Sequence, residues 1–405
     1  MRYTTLLLIL PPLFSLALAG GCAHSESATA PFQRQVFIGS DRQRMPDGKS
    51  PGHQRGKGLT FGQCAVNITP KKGAQAAAIA QECPSTTDAT FSVEKSSLHY
   101  FSSDKDQYEK FSQAFQQSIS RSESKDIFLF IHGYNVRFDD AVITTAQLAC
   151  DLNFKGTVVC FDWPAWGELG SYLYDEENSQ WAIAHLVDFL NKLKTEAGTQ
   201  RIHVMTHSMG SRVFLNALHE MQLKGEFNDP GRTGRNGRFF AEVIFAAPDM
   251  DRDMFTERLV SVSNIADHFT IYGSCNDRAL ETSGIIHLLP RAGQGGRALP
   301  INSRLTPNMY VIDASWVDTS FLGHFCYRTP TVTRDIRELI ARTAPASAPI
   351  AATTRPDDPA DPAKRSNLKA RHRVPLEGGE PLTYWQFDNA KPQAFGRLFT
   401  SCDGR

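Results

Sequence analysis

Ser208 stands in Thr206-His207-Ser208-Met209-Gly210, after the apolar run Ile202-His203-Val204-Met205 and before a helical pattern from Ser211 to Leu223. A serine on a tight strand-to-helix turn projects its hydroxyl above the sheet, where it can attack a carbonyl. Small residues two places to either side let the turn close; Gly210 meets this fully and Thr206 in part. The following helix aims its first amides at the same point, which favours negative charge there. A serine that only caps a helix has the same local pattern, so a nucleophile here also needs a base and an acid from elsewhere in the chain.

Two carboxylates qualify as the acid. Asp277 follows the strand-like run His268-Phe269-Thr270-Ile271-Tyr272, in Gly273-Ser274-Cys275-Asn276-Asp277-Arg278. It therefore sits at a strand's C-terminal end, where open α/β sheets keep their working residues. Asp249, in Ala247-Pro248-Asp249-Met250-Asp251, follows an earlier run and is the alternative acid, its other role being that of an N-cap or loop hydrogen-bonder. The base is expected to be His324, in the loop Gly323-His324-Phe325-Cys326-Tyr327 before the last helix. His287 lies between Ile285-Ile286 and Leu288-Leu289, which suits a core or lid residue. His207 abuts Ser208, but adjacent positions of a turn point differently, so it reads as a residue that shapes the site. No Cys/His spacing indicates a metal site, and the chemistry needs no cofactor.

The elements that must position these side chains alternate along the chain. Ile127-Phe128-Leu129-Phe130-Ile131 and Thr157-Val158-Val159-Cys160-Phe161 are continuous apolar runs, as strands covered on both faces require. Further strands are expected at 202–205, 239–246, 268–272 and 309–312. Helices are expected at about 139–151, 211–223 and 332–342, and Trp181, His185, Leu186, Phe189, Leu190 and Leu193 mark another by their spacing. Such alternation implies right-handed crossovers and an α/β fold, a mostly parallel central sheet flanked by helices on both faces. Earlier in the chain, 35–39 and 59–70 read as two more strands.

Taken together, Phe130-Ile131-His132-Gly133-Tyr134-Asn135, Phe161-Asp162-Trp163-Pro164, the Ser208 turn, Ala246-Ala247-Pro248-Asp249-Met250-Asp251, Asn276-Asp277-Arg278-Ala279-Leu280 and Val317-Asp318-Thr319-Ser320 with Gly323-His324 resemble a bacterial family of α/β hydrolases of unknown function, grouped with the esterases and lipases. The resemblance covers roughly Val36 to Arg342. It implies the α/β-hydrolase fold and a triad of Ser208, Asp277 and His324 in the chain order nucleophile, acid, base. It also implies that the His132-Gly133 turn supplies one oxyanion-hole amide, that of Tyr134, and the residue after the nucleophile, Met209, the other; each such donor is worth roughly 3–4 kcal/mol.

The N-terminus reads as an address. Met1-Arg2, an apolar stretch from Leu6 to Leu18 and Ala19-Gly20-Gly21-Cys22 describe a secretory signal whose end resembles the lipobox of bacterial lipoproteins, with Ala19 where Leu is usual. Cys22 would then carry lipid and hold the protein at the bacterial cell envelope, at the outer membrane or the periplasmic face of a membrane. Export implies that some of the seven remaining cysteines pair. Cys275 and Cys326 flank the expected acid and base at two residues' distance and are a possible disulfide; Cys64–Cys83 is a second.

The whole chain has 405 residues, with 43 Lys+Arg against 43 Asp+Glu. That balance argues against nucleic acid as a partner. No internal apolar run is long enough for a polytopic membrane protein. The expected domains are a signal peptide at 1–21, a lipid-anchored tether at 22–55, the hydrolase domain at 56–343, a disordered Ala/Pro-rich linker at 344–373 and a C-terminal tail at 374–405 that docks back or binds something else. The expected activity is serine hydrolysis of carboxylic esters, of small molecules or lipids, through an acyl-enzyme. Thioesterase, amidase or peptidase action on the same triad, or a non-catalytic envelope lipoprotein, are the alternatives. Trp163, Trp166, Tyr172 and Tyr174 either line an apolar acyl pocket or serve as lid and core.

Overall fold

The strands in chain order are β1 (Phe32–Arg42), β2 (Arg55–Pro70), β3 (Ala89–Phe101), β4 (Ile127–Ile131), β5 (Thr157–Asp162), β6 (Ile202–His207), β7 (Phe240–Ala246), β8 (Ala266–Gly273), β9 (Met309–Asp313), β10 (Leu368–Arg373) and β11 (Leu382–Phe387). The helices are α1 (Lys105–Arg121), α2 (Phe138–Asp151), α3 (Tyr172–Ala197), α4 (Met209–Leu223), α5 (Arg252–Ser261), α6 (Arg278–His287) and α7 (Pro330–Arg342). The computed structural model describes residues 32–45, 50–71, 83–102, 104–168, 170–198, 200–228, 238–295, 308–315, 317, 323–342, 368–373 and 382–387. The expected signal peptide and Cys22 lie outside them.

All strands join one sheet in the order β10-β11-β9-β8-β7-β6-β4-β5-β1-β2-β3. From β1 through β5, β4, β6, β7, β8 and β9 to β11 every neighbouring pair is parallel. The antiparallel pairs lie at the two margins, β1–β2 and β2–β3 at one and β10–β11 at the other. Because parallel strands need crossovers, helices cover both faces and the strands are apolar throughout. In β4, Ile127, Leu129 and Ile131 join the core beneath α1, α3 and α4, whereas Phe128 and Phe130 join the core beneath α2 and α7. That period-2 alternation divides the apolar run between two cores.

Helix α1 shows how local chemistry meets packing. The Asp104 side chain caps it by accepting from Gln107 N, and Phe111, Phe115 and Ile119, four residues apart, are its buried stripe. Phe115 is fully buried against Phe37, ring centroids 5.0 Å apart; burying one such side chain contributes about 1.5–3 kcal/mol. Among the described residues no helix is long and apolar enough to cross a membrane.

The sheet reaches further at both ends than the sequence implies. The expected strand at 35–39 is the centre of a longer β1 that buries Val36, Phe37 and Ile38 beside β5, and β3, which the sequence does not announce, adds a further strand at that margin. Residues 368–373, expected within a linker, form β10, and β11 from the tail extends the parallel sheet beyond β9. Leu368, Trp385 and Phe387 pack on the α2/α7 core, which gives this short segment the apolar contacts its composition hides.

Two disulfide expectations are corrected. Cys326 keeps a buried free thiol inside the α2/α7 core, its pKa pushed up to about 12 by burial, so it does not pair with Cys275, which is disulfide-bonded otherwise. Cys83 pairs with Cys150 across a Cα–Cα distance of 5.2 Å, and not with Cys64, which points into the same core and is free. Cys160 is a third buried free thiol among the described residues.

Candidate active site

The catalytic-type residues gather where the chain's connections diverge. From β4 the chain crosses to β5 on one side, and from β6 it crosses to β7 on the other, so a crevice opens between the C-terminal ends of β4 and β6. The register pairs Ile131 with Thr206, which sets His132-Gly133 beside His207-Ser208.

Ser208 joins β6 to α4 with φ 52° and ψ −124°. A non-glycine residue at positive φ is strained by about 1–3 kcal/mol and is held there by its surroundings. Ser208 N donates to Ala246 O (3.0 Å), and Ser208 O accepts from Ser211 N (3.0 Å) and Asp249 N (3.1 Å). Gly210 is required by close approach: a Cβ there would lie 2.2 Å from His132 O and 2.7 Å from Ile131 O. Thr206 is tolerated opposite it because its hydroxyl is buried and hydrogen-bonded to Ser211 Oγ (2.8 Å).

Asp277 and His324 meet. His324 Nδ1 donates to Asp277 Oδ2 (2.7 Å), and Asp277 Oδ1 accepts from Leu280 N (2.9 Å) as the N-cap of α6. One carboxylate thus orients the imidazole and starts a helix whose N-terminus favours its charge. The two loops press together at Gly323, whose φ is +67° and where a Cβ would come within 2.2 Å of Asn276 O. Burial pulls the His324 pKa down, but the Asp277 charge and hydrogen bond outweigh it and leave it above the ordinary value, with Asp249 adding in the same sense.

His207 holds the histidine loop from below, its Nε2 donating to His324 O (3.1 Å). Its ring lies 4.6 Å from that of His324 and stacks on Phe325 at 5.2 Å. Burial, then the charge of His324, holds its pKa well below the ordinary value, so it stays neutral. Ser208 Oγ and His324 Nε2 make no hydrogen bond to another described residue, nor to one another; such contacts commonly tighten only when substrate binds.

The loop after β4 is fixed from behind. His132 Nδ1 donates to Gly133 O (2.9 Å), and Trp163, fully buried, stacks on His132 and donates from Nε1 to His132 O (2.8 Å). Arg42, from the end of β1, donates through Nε to both Asp162 oxygens (2.8 and 2.9 Å), through Nη1 to Ala165 O (2.7 Å) and through Nη2 to Val136 O (2.8 Å). Burial would raise the Asp162 pKa, but Arg42 and His132 hold it below the usual carboxylate range. Among the described residues the amides of Tyr134 and Met209 are spent on no protein acceptor.

Asp249 does not reach His324. Its carboxylate is buried and accepts from Ser283 Oγ (2.6 Å), Arg291 Nε (2.8 Å) and Tyr172 OH (2.6 Å). Arg212 on α4 donates to its carbonyl (3.2 Å) and pairs with Glu176. His287 is half-buried and not deep core: its Nε2 faces Glu176 Oε1 (3.0 Å) and its ring lies 5.8 Å from Tyr172. Of the four aromatics, Trp163 is core, Tyr172 belongs to the Asp249 cluster, and Trp166 and Tyr174 pack edge to face with ring centroids 4.7 Å apart. Arg42, Arg212, Ser283 and Arg291 are not announced by the sequence, whose local signals are a charged residue ending an apolar strand, at Arg42, and one opening a helix after the serine, at Arg212. Among the described residues no group of three or more His, Cys, Asp or Glu could hold a metal ion.

A parallel sheet covered by helices on both faces, with a strained serine turn at its switch point, defines an α/β hydrolase. The chain belongs to the family described as alpha/beta hydrolase of unknown function (DUF900), whose model matches residues 107–329. It is similar to an uncharacterized protein, alr1448, of Nostoc sp. strain PCC 7120, at 23% identity over 182 residues, covering 35% of this chain and 47% of that one. Among solved structures it is similar to an acylaminoacyl peptidase of Pyrococcus horikoshii, at 12% identity and a TM-score of 0.31, covering 69% of this chain and 48% of that one. The chain thus spans about half the length of each.

Proposed function

We propose that this protein is a serine hydrolase of carboxylic esters, held at the bacterial cell envelope by a lipid on Cys22. Ser208 attacks the ester carbonyl while His324 takes its proton. His324 then returns the proton to the leaving alcohol, and water releases the acyl group by the same steps. Asp277 holds the imidazole and stabilises its charged form, and the amides of Tyr134 and Met209 receive the oxyanion. The observation that carries this reading is the 2.7 Å hydrogen bond between His324 and Asp277 at the rim that also bears the strained Ser208 turn.

An apolar rim supports a lipophilic acyl group. Leu173 at the start of α3, Ile285, Ile286, Leu288 and Leu289 at the end of α6, and Phe325 beside His324 are all exposed. Tyr172 and Glu176 join α3 to His287 of α6, so Leu173 and the end of α6 lie on neighbouring elements. Export is supported by the N-terminal pattern and by the Cys83–Cys150 disulfide, since such bonds persist in oxidising compartments.

A fluorophosphonate probe and p-nitrophenyl esters of increasing chain length test the proposal. Wild type should label and hydrolyse, with kcat/KM rising with acyl length, and Ser208→Ala should do neither. Asp277→Asn should lose about 10⁴-fold in kcat. Wild-type protein that neither labels nor hydrolyses any ester refutes the reading. Labelled palmitate should be incorporated in cells and lost in Cys22→Ala.

A further inference from the structure

The cluster around Asp249 is a second buried charged assembly at this rim. It draws Tyr172 from α3, Arg212 from α4, Ser283 from α6 and Arg291 from the loop beyond, all onto one residue whose amide donates to the carbonyl of Ser208. The Ser208 turn is strained and its peptide needs restraint on both sides. Ala246 O restrains the amide side, and Asp249 N, with Ser211 N, the carbonyl side. The carboxylate anchors the Pro248-Asp249 peptide that does this. The Asp249 side chain is 3% exposed, as is that of Arg291, its ion-pair partner, so its charge acts across a medium with little water to screen it.

We infer that Asp249 is a positioning residue for the site: its anchored peptide fixes the carbonyl side of the serine turn. Its buried charge, at the same rim, supports the protonated imidazole of His324 alongside that of Asp277. It touches neither the reacting atoms nor the imidazole. The groups that bear on His324 are Asp277 from the loop after β8, Asp249 from the loop after β7 and His207 from β6, with Arg328 on its own segment acting on His207. Asp249 in turn faces Arg291, Arg212 and Tyr172, and stays ionised: burial opposes the charge, and Arg291 and then Arg212 outweigh it. Geometry and charge are separable, because Tyr172→Phe with Ser283→Ala loosens the carboxylate and keeps its charge, whereas Asp249→Asn removes the charge.

The labelling arm of the test rests on the hydrolase reading; the titration arm does not. The imidazole of His324 is titrated by NMR on histidine-labelled full-length protein, assigned with His324→Asn, and fluorophosphonate labelling rates are measured on the same samples. In folded Asp249→Asn, the His324 pKa should fall and labelling should slow roughly 10- to 100-fold, as expected when a reacting group is misplaced by about 1 Å. In the Tyr172→Phe/Ser283→Ala protein, labelling should slow while His324 titrates as in wild type. Asp249→Asn that titrates and labels like wild type overturns the inference. If Asp249→Asn does not fold, the double variant decides, and a wild-type labelling rate there overturns it. Wild type that fails to label refutes the hydrolase reading alone; the NMR titration then still decides, and an unmoved His324 pKa overturns the role given to Asp249.

Discussion

Gly210→Ala is a one-carbon perturbation whose size can be worked out. The added Cβ would stand 2.2 Å from His132 O, and ordinary contact begins at 3.4 Å, so about 1.2 Å must open between the start of α4 and the end of β4. The obstructing atoms are backbone carbonyls of a central strand, which cannot rotate aside as a side chain would. Alanine gains about 1 kcal/mol in helix propensity, against an overpacking cost of about 1–3 kcal/mol. The net loss of stability is therefore small, from nothing to about 2 kcal/mol. Function should suffer more, because the two parts forced apart carry Ser208 and Met209 on one side and the Gly133-Tyr134 loop on the other. A misplacement of about 1 Å at a reacting centre costs about 10²-fold in rate. Steady-state kinetics on a p-nitrophenyl ester should show kcat down about 10²-fold with KM little changed, and thermal unfolding only a modest fall in Tm. A Gly210→Ala protein with wild-type kcat would refute the claim that this contact sets the distance between the serine turn and the loop after β4.

The pH profile follows from His324. In the proposed reaction His324 is the general base and must be unprotonated; its pKa is raised above the ordinary value by Asp277 against the opposing effect of burial, so the acid limb of kcat/KM should have its midpoint above 6.5. Asp277→Asn should move that limb to lower pH. Cys83 and Cys150 close a loop of 67 residues, for which chain entropy predicts about 4 kcal/mol of stabilisation; replacing both by serine should lower the urea midpoint by a comparable free energy. Arg42→Met strands the buried Asp162 carboxylate and should destabilise by about 3–5 kcal/mol, with Arg42→Met/Asp162→Leu recovering much of the loss in the same unfolding measurement.

The central strands are legible because burial on both faces writes an unbroken apolar run, as in Ile127–Ile131, that no loop imitates. The meeting of Asp277 with His324 is legible for a related reason: Asp277 lies just past the end of β8, and His324 in the loop that leads from β9 to the last helix, on one edge of a parallel sheet. Strand β3 is less so. Its Ala89–Phe101 run carries Ser, Lys and Glu because much of it is only half-buried at the sheet margin. The partners of Asp249 come from four elements across the chain, and none announces itself by spacing. A buried ion pair is specified by the third dimension alone, whereas periodicity records only one face of one element. The cysteines mislead for the same reason: proximity to Asp277 and His324 along the chain says nothing of which way a thiol points, and Cys326 points into apolar packing.

Arg42 lies upstream of the matched segment 107–329, yet its guanidinium is what neutralises Asp162 and ties down the carbonyls of Val136 and Ala165. The matched segment is accordingly not a minimal autonomous fragment. Excising it would uncap the flank of β5 and leave a carboxylate without its counterion in the interior. Expression boundaries, domain grafts and chimeras of this protein need to begin before Phe32.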